Sequence, residues 1–156
     1  MIILVGGLLT AKYFKDKNQK VAVKNTVSET DAANKALLDK NTSLALEHAK
    51  KALAEDPNDI DRINAVASLT KEGNPEEAKS YYAKALGLFK DVNNLDNANQ
   101  IQTATTYWAA AGLAENAGNI DQAKQYYAKV IKVAKLSDSY DKDIARKSQA
   151  ALERLK

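Results

Sequence analysis

Three segments of this chain repeat one spacing of small residues, and this repetition constrains the fold more than any other feature of the sequence. The segments are residues 40–59, 72–91 and 116–135, and their equivalent small residues are Ala45, Ala78 and Ala123. Alanine or tyrosine follows four positions later, alanine or valine after seven, and leucine or isoleucine after eight. Offsets of four, seven and eight lie on one face of a helix. The repeat therefore predicts three helices that pack through small residues.

A second helical stretch precedes each of these helices, across a turn that contains asparagine. The chain is rich in alanine and has only 2 prolines, which favours closely packed helices and argues against an all-β fold. Each unit is therefore predicted to be helix–turn–helix. The preceding helices carry their own stripes of small or apolar residues, which are Ala32, Ala33 and Ala36, then Ala65, Val66 and Leu69, then Ala110, Ala111 and Ala114.

The spacing also predicts where the units lie in a solenoid domain over residues 21–156. We expect units at about 26–58, 59–92 and 96–136. The interval from Ala78 to Ala123 exceeds that from Ala45 to Ala78 by about three helical turns, which predicts extended helices at 75–92 and 96–117. A polar-faced capping helix is predicted at 138–155, as the last repeat of a solenoid requires. Its apolar stripe is Ile144, Ala151, Leu152 and Leu155.

These patterns resemble the tetratricopeptide repeat. Residues 73–78 and 118–123 are similar to its turn and second helix, and residues 45–57 are similar to the end of a unit. Tyr107 alone occupies the aromatic position of a first helix, and the Leu-Gly pair of the family is absent. The resemblance spans residues 26–135. It implies an all-α solenoid that binds a peptide or protein segment on a concave face lined by the first helices.

The repeat register assigns residues to this implied groove, and they form an uncharged, mildly apolar surface. Some tetratricopeptide-repeat proteins bind the C-terminal carboxylate of a chaperone in this groove through basic side chains. The equivalent positions in this sequence are Thr30, Thr105 and Ala109, which carry no charge, so chaperone C-termini are excluded as partners. Two placements of Trp108 remain open, in the groove or in the core. In each of the pairs Tyr81-Tyr82 and Tyr126-Tyr127, the second tyrosine is expected in the core and the first is expected to be partly exposed. The implied groove residues are Asn34, Leu37, Ile63, Asn64, Ala67, Thr70, Thr105, Trp108 and Gly112.

The N-terminal segment, residues 1–20, is the second feature that bears on function. Residues 1–11 are apolar apart from Thr10, and a lysine-rich stretch follows. The apolar run is shorter than the roughly 20 residues of a membrane span, and it lacks the features of a signal peptide. Three interpretations stay open: a membrane anchor or the rear half of one, a helix that packs against other copies, or a soluble core helix or atypical signal segment. Taken literally, the lysine-rich flank of an anchor would lie on the cytoplasmic side, but a missing upstream segment would reverse this, so the side of the membrane stays open. The residues expected to contact membrane or partner are Ile2, Ile3, Leu4, Val5, Leu8, Leu9, Tyr13 and Phe14.

No motif in the sequence indicates catalysis. The chain has no cysteine and a single histidine, His48, which excludes disulfides, thiolate chemistry and histidine-based metal clusters within the chain. The acidic run at 55–61 lacks the central glycine of a calcium loop, and Asp59 is predicted to cap the next helix instead. A net charge of +3 does not favour nucleic acid. We therefore expect no enzyme activity, no cofactor and no nucleic-acid partner.

Two functions remain after these exclusions. The first is a non-enzymatic scaffold for protein–protein interaction, attached to a membrane by its N-terminal segment. The second is a structural subunit that assembles into an extracellular homopolymeric filament through the apolar N-terminal helix and stacking of the solenoids.

Overall fold

The computed structural model describes residues 28–89, 97–134 and 141–156, and these residues form helices and no strand. The segment 1–20, the link at 93–96 and the candidate cap residues at 137–139 lie outside the described residues. Among the described helices, none combines the length and the apolar character needed to cross a membrane. The helices are α1 (Glu29–Leu38), α2 (Thr42–Glu55), α3 (Ile60–Thr70), α4 (Pro75–Leu88), α5 (Asn97–Asn116), α6 (Ile120–Ala134) and α7 (Asp141–Arg154).

The helices contact one another mainly in chain order. The pairs α1–α2, α3–α4 and α5–α6 form three helix–turn–helix units, and α2–α3 and α4–α5 join consecutive units. α5 also contacts α3 and α7, and α7 packs on α6 as well. Contacts between neighbouring units define a solenoid. The all-helical, repeat-built solenoid predicted from the sequence is therefore confirmed.

Side-chain caps begin the helices at the predicted turns. Asn41 and Asn74 each accept a hydrogen bond from the backbone N–H three residues further on, at 3.1 and 3.2 Å. Asp59 does the same at the start of α3, at 3.0 Å, as predicted. These bonds satisfy backbone donors that a helix N-terminus leaves unpaired. The asparagine caps therefore fix where α2 and α4 start.

The small residues of the repeat lie at helix crossings. Ala45, Ala78 and Ala123 are completely buried. Tyr82 and Tyr127 are buried four positions later, whereas the preceding Tyr81 and Tyr126 are half-buried, as the sequence predicts. A side chain no larger than a methyl group lets the second helix of each unit pack closely, because protein interiors leave little free volume.

The stripe predicted for α3 is partly wrong. Ala65 is exposed, and the buried face of α3 is formed by Ile63, Val66, Ala67 and Thr70. These four positions follow the offsets of three, four and seven that place residues on one helical face. The buried face of α3 includes Ile63 and excludes Ala65. Burial of the large Ile63 side chain contributes more to the free energy of folding than burial of the Ala65 methyl group would.

Most of the additional residues of the third unit lie in its first helix. α5 has 20 residues, whereas α3 has 11. The extension predicted for the second helix of unit two is wrong. α4 has 14 residues, the same number as α2, and it ends at Leu88 because Phe89 adopts an extended backbone conformation.

The predicted C-terminal cap is α7, which covers the end of the solenoid with its apolar stripe. Ile144 and Ala151 are buried there, and Leu152 and Leu155 are half-buried. At the edge of this contact Arg154 donates to a carboxylate oxygen of Glu115 at 2.5 Å, and the Tyr127 hydroxyl donates to the other oxygen at 3.0 Å. The hydrogen bond from Arg154 holds the pKa of Glu115 below its usual value. Glu115 thus links α5, α6 and α7.

Leucine at the crossing positions tests the repeat register. Ala78→Leu and Ala123→Leu are each expected to lower the free energy of unfolding by about 1–3 kcal/mol, because the added side chain overpacks a filled crossing. Ala45→Leu should cost less, since alanine takes the place of tyrosine one turn later. Chemical denaturation measures the changes, with exposed Ala128→Leu on α6 as the control. Unchanged stability in both Ala78→Leu and Ala123→Leu would show that the register is wrong.

The link through Glu115 predicts a pH dependence of stability. The folded-state pKa of Glu115 lies below the ordinary value of 4.5, so its ionisation stabilises the fold above pH 4.5. This contribution disappears as the pH falls through the lowered folded-state pKa. Glu115→Gln should therefore be less stable than the parent at neutral pH, and the difference in free energy of unfolding should vanish in strong acid. Glu153→Gln on exposed α7 surface is the control, and a difference that does not change with pH would refute the prediction.

Candidate partner-binding surface

One face of α5 carries large side chains that no other described helix covers. Ile101 is 38% exposed and Trp108 is 41% exposed, and Thr105 and Gly112 beside them are half-buried. The offsets of four, seven and eleven from Ile101 place all four on one stripe of the helix. We call these four residues the α5 stripe. Of the two placements left open for Trp108 by the sequence, the structure has the exposed one.

The other faces of α5 pack against neighbouring helices. Tyr107 lies in a core cluster with Val130 of α6 and Ile144 of α7. Ala110 lies in another cluster with Tyr82 of α4. The α5 stripe therefore opens away from the second helices α4 and α6, on the surface formed by the first helices. In the tetratricopeptide resemblance that surface is the concave one.

Polar side chains fix α3 beside α5. The amide nitrogen of Gln102 donates to a carboxylate oxygen of Asp61 at 2.7 Å. The amide nitrogen of Asn64 donates to the Thr106 hydroxyl at 2.8 Å, and that hydroxyl donates to the backbone carbonyl of Gln102, also at 2.8 Å. Two inter-helix bonds at successive turns set both the separation and the register of α3 and α5.

Small residues lie on the side of α3 that faces α5 and one turn beyond Trp108 on α5. On α3, Ala65 and Ser68 are exposed and follow Asp61 at offsets of four and seven, so they share its face towards α5. On α5 itself, Gly112 lies one turn beyond Trp108, and a Cβ atom added there would meet nothing within 4 Å. Trp108 is therefore an exposed aromatic side chain, and α5 leaves open space one turn further on, at Gly112.

Three of the residues implied for the groove do not reach its surface. Ile63 and Ala67 are completely buried, and Thr70 is 3% exposed. Ile63 packs in the core below α3, Ala67 packs with Tyr82, and the Thr70 hydroxyl donates to the backbone carbonyl of Val66 at 2.7 Å. These three residues belong to the buried face of α3 and lie beneath the surface on which a partner would bind. Asn64 is half-buried, and its amide nitrogen is used in the bond to α5.

The remaining implied residues fall into two separate sets. Thr105, Trp108 and Gly112 lie together on the α5 stripe. Asn34 and Leu37 are exposed on α1, which packs on α2 and does not contact α5. Sequence reasoning missed Ile101, although it precedes Thr105 by four and Trp108 by seven residues, and this helical offset was the signal that would have found it.

The surface has the chemistry of a binding face. The α5 stripe carries no charge, and the nearby Asp61 carboxylate is engaged by Gln102. Across the described ranges, no three histidine, aspartate or glutamate side chains form a group able to hold a metal ion. His48 lies elsewhere, where its Nδ1 is 2.6 Å from a carboxylate oxygen of Glu29 and links α2 to α1. An apolar aromatic group among small neutral neighbours suits contact with an apolar segment.

Comparison with known protein families identifies repeats in two parts of the chain. The tetratricopeptide repeat matches residues 64–92 and 104–135, which cover most of α3 with α4 and most of α5 with α6. These segments are thus repeats of the tetratricopeptide type, a family that typically serves as a non-catalytic protein-interaction module. No curated protein matches the chain significantly.

Proposed function

We propose that this protein is a non-enzymatic scaffold that binds a protein or peptide segment on the α5 stripe and is tethered to a membrane by residues 1–20. The observation that carries the binding part is the exposure of Trp108 within an uncharged stripe on the first-helix surface. Tryptophan is among the residues most often found to dominate binding energy when it can be fully desolvated by a partner. Repeats of the tetratricopeptide type support an interaction role in general.

The form of the surface favours an apolar ligand segment. The open space beside Gly112 accepts a side chain that packs against the Trp108 indole, and Ile101 extends the apolar contact two turns along α5. No charged group of the α5 stripe would select an acidic or basic ligand. The residues proposed to contact the partner are Ile101, Thr105, Trp108 and Gly112, with Ala65 and Ser68 at the border and Asn34 and Leu37 at a separate patch.

A binding selection tests this assignment. Peptides selected from a random displayed library on the full-length chain are expected to lose affinity about 30-fold or more in Trp108→Ala, which corresponds to about 2 kcal/mol for a dominant contact. Isothermal titration calorimetry measures the loss. Leu44→Ala is the matched control, because Leu44 is 40% exposed but lies on α2. Equal affinity of the selected peptides for Trp108→Ala and the parent would refute the α5 stripe as the binding surface.

The tether is proposed from the sequence of residues 1–20, which combines an apolar run with a lysine-rich flank. Burial of each CH₂ group in lipid contributes about 0.8 kcal/mol, and the lysines add an attraction to anionic lipid that salt weakens. The repeat pattern begins near Thr26, and each unit of a solenoid is stabilised mainly by its neighbours, so folding should not require the segment.

Truncation separates the tether from the fold. Residues 21–156 are expected to be monomeric and as helical per residue as the full-length chain by circular dichroism, whereas the full-length chain should sediment with vesicles. Light scattering without detergent provides the size. Unfolding of the truncated chain would assign residues 1–20 to the core. A full-length chain that stays soluble and monomeric without detergent would refute the tether.

Self-assembly is the second candidate, and the apolar run within residues 1–20 favours it as well. This run can pack against other copies of the chain instead of lipid, and a head-to-tail contact between copies builds a filament when it does not close. Large particles of the full-length chain without detergent or lipid would favour this candidate over the tethered monomer.

A further inference from the structure

Charge is distributed unevenly between the two ends of the α5 stripe. Near the Ile101 end, carboxylates are concentrated at the end of α2, in the turn that follows it and at the start of α3. We call this group the acidic end, and its members are Glu55, Asp56, Asp59 and Asp61. The bond from Gln102 to Asp61, at 2.7 Å, places the group beside the first turns of α5.

Cations of the fold compensate one half of the acidic end. The Nη1 atom of Arg62 lies 3.1 Å from a carboxylate oxygen of Glu55, and its Nε atom lies 3.7 Å from one of Asp59. The Nζ atom of Lys84 donates to the backbone carbonyl of Pro57 at 2.6 Å, which brings a second positive charge to this turn. Glu55 and Asp59 therefore offer little further attraction to a ligand.

The other half of the acidic end is uncompensated. Among the described residues, Asp56 and Asp61 form no ion pair. Asp56 accepts from the backbone N–H of Asn58 at 3.3 Å, and Asp61 accepts from the amide of Gln102. Both donors are neutral, so neither bond removes the negative charge. The carboxylates of Asp56 and Asp61 are thus left for a cation from outside the fold.

The opposite end of the α5 stripe, at Gly112, has no such excess of charge in the described part of the chain. The two bonds between α3 and α5 show that these helices run parallel, so the end of α3 lies towards Gly112. Lys71 and Glu72, which follow α3, have opposite charges. Glu115, near the end of α5, is engaged by Arg154 at 2.5 Å. A ligand along the stripe therefore meets an apolar middle and one negative end.

We propose that the segment bound by the α5 stripe belongs to a separate protein and is an apolar segment continued at one end by lysine or arginine residues, which lie over the acidic end. This inference rests on the proposed function, because the stripe has to bind the apolar part. Complementary charges at the rim of an interface steer association, fix the register of the ligand and reject partners of like charge. The stripe itself selects no charge, whereas the acidic end selects a basic flank.

A basic side chain suits the acidic end better than a metal ion does. Asp56 and Asp61 belong to no group of three histidine, aspartate or glutamate side chains that could hold a metal ion within the described ranges. Exposed carboxylates of this kind pair readily with lysine or arginine, since such a contact requires neither a closed set of ligands nor full removal of water. The basic flank therefore adds rate and direction to binding, and the apolar part supplies most of the affinity.

Tryptophan-free peptides selected from a random displayed library on the full-length chain test the charge of the partner. Those that depend on Trp108 are expected to carry lysine or arginine at one end of an apolar core. Trp108 is the single tryptophan of the chain, so its fluorescence follows binding and its rates directly. Asp61→Asn keeps an oxygen for the Gln102 bond but removes the charge. It should weaken binding about two- to five-fold, mainly through slower association.

Asp121→Asn is the matched control. Asp121 is the second residue of α6, as Asp61 is of α3, and each follows an isoleucine. Because α6 packs on α5 away from the α5 stripe, Asp121→Asn should bind the selected peptides as the parent does. This control separates a charge at the stripe from a general effect of removing a carboxylate at a helix start.

A double-mutant cycle decides whether the charges interact directly. Replacement of the basic residues of a selected peptide by glutamine should abolish the difference between the parent and Asp61→Asn, because the charge pair is then absent from both complexes. Salt should weaken the basic peptide more than the glutamine peptide. The proposal is overturned if the peptides that depend on Trp108 show no excess of basic residues, if Asp61→Asn binds them as the parent does, or if the glutamine peptide keeps the full difference.

Two other outcomes assign the failure. If no selected peptide depends on Trp108, the proposed function is refuted, and this inference with it. A peptide of residues 1–24, which has an apolar run followed by lysines, is tested in parallel. If it alone binds with the expected dependence on Asp61, the occupant is a second copy of this chain and the separate partner is overturned.

Discussion

The close approach of two helices at a small residue is the constraint on which the rest of this structure depends. Ala45, Ala78 and Ala123 have no exposed surface, and each lies where the second helix of a unit crosses its neighbours. With the crossing held close, the residue four positions later, alanine in the first unit and tyrosine in the other two, is buried as well. The large tyrosine rings of the second and third units therefore supply much of the apolar burial that a crossing built on alanine cannot provide.

The polar contacts act on a different part of the architecture. Burial of alanine and tyrosine holds each unit together, but it does not by itself fix how one first helix lies beside the next. The bonds from Gln102 to Asp61 and from Asn64 to Thr106 do this for α3 and α5, and the bond from Arg154 to Glu115 does it for α5 and α7. Directional bonds of this kind select one register, which non-directional apolar packing does not. The shape of the first-helix surface thus depends on a few polar pairs.

The sequence predicted the elements well because the repeat reports them directly. Offsets of four, seven and eight identify one helical face wherever they recur, and asparagine before each second helix marks its start. The α3 surface was assigned less well. Ile63, Ala67 and Thr70 were placed in the groove by their distance from the turn, but the loop before Asn74 and the loop before Asn119 differ in length. In the first case the Asn74 N–H bonds to Thr70, four residues back, and in the second the Asn119 N–H bonds to Ala114, five residues back. A difference of one residue turns a helix by about 100°, which is enough to exchange buried and exposed positions.

The candidate binding surface lies on α5, and the composition of that helix explains why. α5 has a single charged residue, Glu115, and that residue is engaged by α6 and α7. A helix without other charges can be packed by neighbours over most of its circumference, and α5 contacts α3, α4, α6 and α7. What remains uncovered is the narrow α5 stripe with Trp108. Gly112 leaves open space within this stripe, because a Cβ atom there would meet nothing within 4 Å. The residues that permit close helix packing are thus of the same kind as those that leave space for a partner.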